Sequence, residues 1–328
     1  MDKCGNAGCT KSSPSSLDTD SLQRCSRCRT AAYCSRDCQS AAWPSHKEAC
    51  FRPNYIIKFH LGPEHITNPP VTRTLSCPAH AVFYMLHLAL QTAFGWATTH
   101  SFDFAVLDPD YREPADVNEF MRRRMAIGPS GDQLSASEPR EYLFRVVDPV
   151  EQTMFSGIDR MHESTRRHPN TPEKKADKYK LFQLLDDAQL QNRQIVYTYD
   201  FGDNWEHYFT VLGRADSTAN FICLDGSGHY VAEDSRGVNG WEDLKAAYRA
   251  QNPTKEQRER RQWFERQASN PDPRGLAGDR VNAWDRDKIN RDLETDTMFN
   301  RFQDNASMAK MFERFMQSSM APLEASSK

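Results

Sequence analysis

Between Cys25 and Cys50 the chain packs five cysteines and one histidine into CSRCRTAAYCSRDCQSAAWPSHKEAC, a density of sulfur that no buried core requires. Closely spaced cysteines form disulfides outside the cell and bind metal or do chemistry inside it. The amino terminus, MDKCGNAGCTKSSPSS, has no basic segment followed by an apolar one, so it does not read as a secretory signal. The longest apolar stretch, Ala79 to Leu90, is interrupted by His80 and His87 and falls well short of the ~20 residues that span a bilayer. The expectation is a soluble intracellular protein of the nucleus or cytoplasm, with no membrane contact. Seven of the nine cysteines precede residue 51 and read as donor pairs: Cys4/Cys9, Cys25/Cys28, Cys34/Cys38 and, with histidine, His46/Cys50. CxxC, CxxxC and HxxxC are spacings at which a tight turn or one helical turn brings two soft donors onto one ion. Eight thiolate and imidazole donors make two tetrahedral zinc sites.

The run YCSRDCQSAAWPSHKEAC resembles the second half of a MYND zinc finger, with its YCS, CQ, W and HxxxC landmarks. The resemblance implies an interleaved pairing, with Cys4, Cys9, Cys34 and Cys38 on one zinc and Cys25, Cys28, His46 and Cys50 on the other. The chain departs from the family pattern at Cys4 and Cys9, which are separated by four residues rather than two, and fifteen residues lie between Cys9 and Cys25. Some fifty residues cannot build a sufficient core, and zinc supplies about 10–16 kcal/mol of apparent folding free energy in such modules. An ion saturated by four protein donors has no position open to water, so both ions are structural. The resemblance also implies docking of short proline-containing peptides on a protein partner, with Gln39 and Trp43 at the positions that line the groove. They lie four residues apart in a short helical run and share a face.

At 328 residues the chain has room for a second, larger unit, and 38% hydrophobic with 11% aromatic content can build its core. We expect a finger over 1–52, a main domain over 54–253 and a charged helical extension over 254–328. A net charge of −3 gives no reason to bind nucleic acid. Basic residues do collect near the finger (Arg24, Arg27, Arg29, Arg36, Lys47 and Arg52), but without an aromatic stripe of the kind that stacks bases.

In the main domain YIIKFHL and VTRTLSC alternate as strands with NPP as the turn between them, and a helix is expected from Pro78 to about Phe94. SFDFAVLD and YLFRVVD read as further strands separated by a polar insertion, and Thr171, Pro172 and Glu173 read as a helix start. IVYTYDFGDNWEHYFTVLG reads as a hairpin turning at Gly202, Asp203 and Asn204. Leu86 with His87, Trp96, His100, YDFGDNWEH from Tyr199 to His207, and GSGHYVAEDSRGVNGWEDL together resemble the plasmid pRiA open-reading-frame-three-like family over residues 54–253. The departure is SRG, where the family more often has glycine pairs. The resemblance implies an α+β domain and no established activity. Beyond Pro253 come charged helical patterns and a methionine-rich run, 307–320.

The fold class expected is therefore α+β: a small cross-braced two-zinc finger, a larger mixed sheet-and-helix domain and a helical C-terminal extension. Two function classes follow. One is a zinc-binding adaptor whose finger docks a partner peptide. The other is a metal-dependent or acid–base enzyme built on His87, His100, Asp200, Asp203 and His207, whose donors could meet near the hairpin turn. In that hairpin Asp200 and Asp203 also suit a turn cap, and His207 a hydrogen-bonded core position. No SET-type cofactor signature, Walker loop, nucleophile elbow or HExxH helix is present to support a methyltransferase, nucleotide, hydrolase or metalloprotease reading.

Overall fold

The computed structural model of the protein describes residues 4–9, 22–47, 50–126, 134–149, 163 and 165–294. The methionine-rich run lies outside these. Two separate apolar clusters form, one in the finger around Tyr33 and Ala42 and one in the body.

The finger has two short strands, β1 (Gln23–Arg24) and β2 (Ala32–Tyr33), followed by helix α1 (Arg36–His46). Ser35 starts α1 by accepting from the Cys38 N–H at 3.2 Å, with Asp37 in the first turn where the helix dipole favours an anion. Cys38, Ala42 and His46 recur every four residues and turn inward, while Gln39 and Trp43 sit on the adjoining face.

The body is an eight-stranded sheet in the order β10-β4-β3-β9-β8-β5-β6-β7. Its strands are β3 (Asn54–Leu61), β4 (Val71–Cys77), β5 (Phe102–Leu107), β6 (Tyr142–Val147), β7 (Glu173–Lys175), β8 (Ile195–Tyr199), β9 (Trp205–Ala215) and β10 (Ile222–Ser227). All neighbours are antiparallel except β6 and β7. Helix α2 (Phe83–Phe94) lies on the sheet with Phe83, Leu86, Leu90 and Phe94 fully buried. It begins at Phe83 rather than Pro78, because Val82 is held in a bridge to Lys180. It ends at Gly95, whose φ of 71° is left-handed and where a Cβ would meet the Tyr230 ring at 3.0 Å.

Glu173 does not open a helix. Residues 173–175 pair in parallel with Arg145–Val147, and the Arg145 guanidinium binds the Glu173 carboxylate at 2.5 Å. The helix expected there is confined to α4 (Leu181–Leu185). The polar insertion contains α3 (Val117–Met125), capped by Asp116. Among the described residues three further α-helices follow β10: α5 (Gly237–Arg249), α6 (Lys255–Arg266) and α7 (Arg286–Glu294). The last two add Phe264, Ile289 and Leu293 to the same core as the sheet. Their charged faces point outward, so a segment that reads as polar still closes the body.

Arg52 joins finger to body. It donates to the Ser26 carbonyl at 2.9 Å, pairs with Asp186 and lies 4.3 Å over the Phe182 ring. It is buried, so it does not belong to an exposed basic patch.

Candidate functional site

The finger gathers its donors in two groups of four: Cys4, Cys9, Cys34 and Cys38, and Cys25, Cys28, His46 and Cys50, with donor atoms in each group within 4.8 Å of one another. All nine cysteines are free thiols. Cys9 and Cys34 sulfurs are 3.6 Å apart, Cys25 and Cys50 3.6 Å, and Cys28 is 3.5 Å from His46 Nε2. A disulfide would need about 2.05 Å, whereas a tetrahedron of ~2.3 Å zinc–sulfur bonds sets its corners about 3.8 Å apart. The two groups therefore fit two structural zinc ions. Helix α1 ties them together, since Cys38 serves one and His46 the other, about 12 Å apart along the helix axis.

On the adjoining face of α1, Gln39 is half-buried and Trp43 is 39% exposed. The Trp43 ring meets the His46 ring edge-on, at 6.0 Å between centroids.

In the body, the expected donors divide. His87 and His207 are fully committed to the core. His207 Nε2 accepts from the Trp96 indole at 3.2 Å, which leaves the proton on Nδ1, facing the Trp205 and Tyr197 carbonyls at 3.0 and 3.2 Å. His87 Nδ1 lies 2.8 Å from the Tyr197 hydroxyl, which also accepts from Gln91, and its ring stacks on Phe102 at 3.7 Å. Burial lowers both imidazoles to a pKa of about 3. Neither joins a donor group. Asp203 is used locally, its carboxylate accepting from the Arg236 N–H at 3.0 Å.

His100 and Asp200 do come together. Asp200 has a left-handed backbone (φ 57°), and its Oδ1 accepts from the N–H groups of Gly202 at 2.9 Å and Asp203 at 3.1 Å, making the hairpin turn. Its Oδ2 faces His100 Nε2 at 3.6 Å. Burial raises the Asp200 carboxyl, against the opposing pull of His100 and the two backbone N–H groups. Two carboxylates from the loop before α5 complete the group, with Asp234 Oδ1 at 3.2 Å and Glu233 Oε1 at 4.0 Å from the same nitrogen. Glu233 is fully buried and accepts from Ala97 N–H, Thr99 hydroxyl and Tyr199 hydroxyl, each at 2.6 Å. Its own N–H is held by Asn270, and Ser269 donates to Asp234 Oδ2 at 2.5 Å. Gly237 lets this loop close on the hairpin, since a Cβ there would lie 2.9 Å from the Asp203 carbonyl. A cleft of 580 Å³ lined by Arg52, Pro78, His80, Phe221 and Leu293 lies elsewhere and contains none of these groups.

The family model described as plasmid pRiA4b ORF-3-like protein matches residues 55–292. The chain belongs to this family. In its pRiA4b ORF-3-like domain the sequence landmarks Trp96, His100, Tyr199, Asp200 and the AED of Ala232–Asp234 meet at one place. Glu233 and Asp234 were missed as site residues, although the AED run contains both. A MYND finger model matches residues 2–50. Histone-lysine N-methyltransferase SMYD3 from Homo sapiens is 56% identical over 34 residues, and that from Mus musculus is 53% identical over 34 residues. Each match covers 10% of this chain and 8% of the relative's length. A solved structure of a protein of unknown function from Methanosarcina mazei Go1 aligns with a TM-score of 0.45 at 20% identity, over 75% of this chain and 99% of that one. No helix among the described residues is long and apolar enough to cross a membrane.

Proposed function

We propose that the protein is an intracellular adaptor whose finger docks a short proline-containing segment of a partner protein on the Gln39–Trp43 face of α1. The observation that carries this reading is an exposed tryptophan on a helix fixed from behind by two four-donor groups. A rigid aromatic anchor costs little ordering entropy when it is buried by a partner, and such residues dominate binding energy. Trp43 supplies the apolar contact, and the Gln39 amide supplies donors and an acceptor to orient the peptide backbone. Cysteines gathered as metal donors rather than paired as disulfides accord with a reducing compartment. Calorimetric titration of the zinc-loaded chain with proline- and leucine-containing peptides tests the proposal. Trp43→Ala should weaken binding at least tenfold while keeping both zinc ions. Unchanged affinity in that variant would move the site off this face.

A further inference from the structure

We propose that His100 Nε2, Asp200 Oδ2 and Asp234 Oδ1 form a binding site for a divalent first-row metal ion, distinct from the zinc sites of the finger. Three observations point to a cation. The donor atoms all lie within 4.8 Å of one another, and two carboxylate oxygens stand 3.2 and 3.6 Å from one imidazole nitrogen. Metal–donor bonds of about 2.0–2.2 Å put neighbouring donors about 3–4 Å apart, so an ion needs only small adjustments to sit among them.

Each carboxylate also has one oxygen anchored and the other turned inward. Asp200 Oδ1 is held by two backbone N–H groups, and Asp234 Oδ2 by the Ser269 hydroxyl. The inward oxygen of Asp200, a residue only 4% exposed, accepts no hydrogen bond from the described residues. Anchoring one oxygen while presenting the other is how surrounding groups orient metal-binding carboxylates.

Among the described residues the negative charge faces only the His100 imidazole, which is in hydrogen-bonding contact with Asp234 Oδ1 at 3.2 Å. Asp200, Asp234 and the buried Glu233 cluster around His100, and among the described residues no lysine or arginine forms an ion pair with any of the three. A buried carboxylate group of this kind needs a cation or a proton. Glu233, whose oxygens are occupied by three donors, adds field rather than a bond to the ion. Asp234 and His100 side chains are 44% and 25% exposed, so an ion can enter from solvent and keep water in its remaining positions. One imidazole with two carboxylates and no thiolate is a nitrogen–oxygen donor set that suits manganese(II), iron(II) or zinc.

Manganese(II) is the probe, because it competes poorly for the thiolates of the finger. Titration of the full-length, zinc-loaded protein, followed by electron paramagnetic resonance and calorimetry, should find one manganese ion beyond the two zinc ions. His100→Ala and Asp234→Asn should each weaken it tenfold or more with the far-ultraviolet circular dichroism unchanged. Asp234 is the more exposed of the two, so its variant reports binding even if His100→Ala disturbs the fold. Asp287→Asn, on the exposed face of α7, should leave binding as it is. Absence of a bound ion at millimolar manganese, a loss below tenfold in Asp234→Asn, or an equal loss in Asp287→Asn would overturn the site.

Discussion

Lowering the pH from 7 to 5 should destabilise the body through two buried imidazoles. His87 and His207 are 2% and 0% exposed, and both are lowered to about 3 by burial, with no carboxylate in hydrogen-bonding contact with either ring. In the unfolded chain a histidine binds its proton with a pKa of about 6.5. Folding therefore requires each to stay neutral, and protons favour the unfolded state once the pH falls through 6.5. The cost per group grows by about 1.4 kcal/mol per pH unit until about pH 3. At pH 5 the two together remove about 4 kcal/mol relative to pH 7, a large part of the ~5–15 kcal/mol that stabilises a domain. Asp200, whose carboxyl is raised by burial, acts in the opposite sense. Urea unfolding read by tryptophan fluorescence at pH 7, 6 and 5 measures the slope, since Trp96, Trp205 and Trp241 all lie in the body's core. Nitrogen chemical shifts of the two rings check the cause, because both should remain neutral at pH 5. A loss below 1 kcal/mol across this range, or either ring titrating near 6.5, would show that the two buried rings do not set the acid response.

Other perturbations read different parts of the molecule. Cys25→Ser should release zinc from the finger and unfold it, while circular dichroism and fluorescence of the body stay intact, because the two apolar clusters are separate; parallel loss of the sheet signal would contradict this. Asp103→Ala should cost about 3–5 kcal/mol in chemical denaturation. Burial would raise the Asp103 carboxyl, but Arg166 and Arg145 outweigh it and hold it below the usual range, and the variant takes from Arg166 its buried carboxylate and leaves Arg145 paired with Glu173 alone. A cost under 1 kcal/mol would show that water reaches them.

The donor pairs Cys25/Cys28, Cys34/Cys38 and His46/Cys50 were legible because their spacings are local, whereas the interleaving of pairs on two ions, which joins Cys4 and Cys9 to Cys34 and Cys38, came from the family resemblance. The hairpin was legible for a similar reason: Asp200 and Asn204, both left-handed, and the Asx turn at Asp200 are local chemistry. Glu173 was misread because its partner strand, Arg145–Val147, is 28 residues earlier, and only that pairing makes an extended segment of a Thr-Pro-Glu run that would otherwise start a helix. The histidines were ambiguous on their face. What separates His87 from His100 is whether Tyr197 or a carboxylate loop waits at the other end of the fold. Glu233 and Asp234 stand about 130 residues from His100 in the chain, and Ser269 and Asn270, which position them, lie further still, in a stretch whose charge suggested an exposed extension.

The adaptor reading is tested most directly by heteronuclear nuclear magnetic resonance of the intact zinc-loaded chain titrated with a proline-containing peptide. Docking on this face should centre the shifts on the Trp43 indole N–H and the Gln39 side-chain amide, with the indole of Trp205 in the body unmoved. Shifts centred on the body, or none at millimolar peptide, would contradict it.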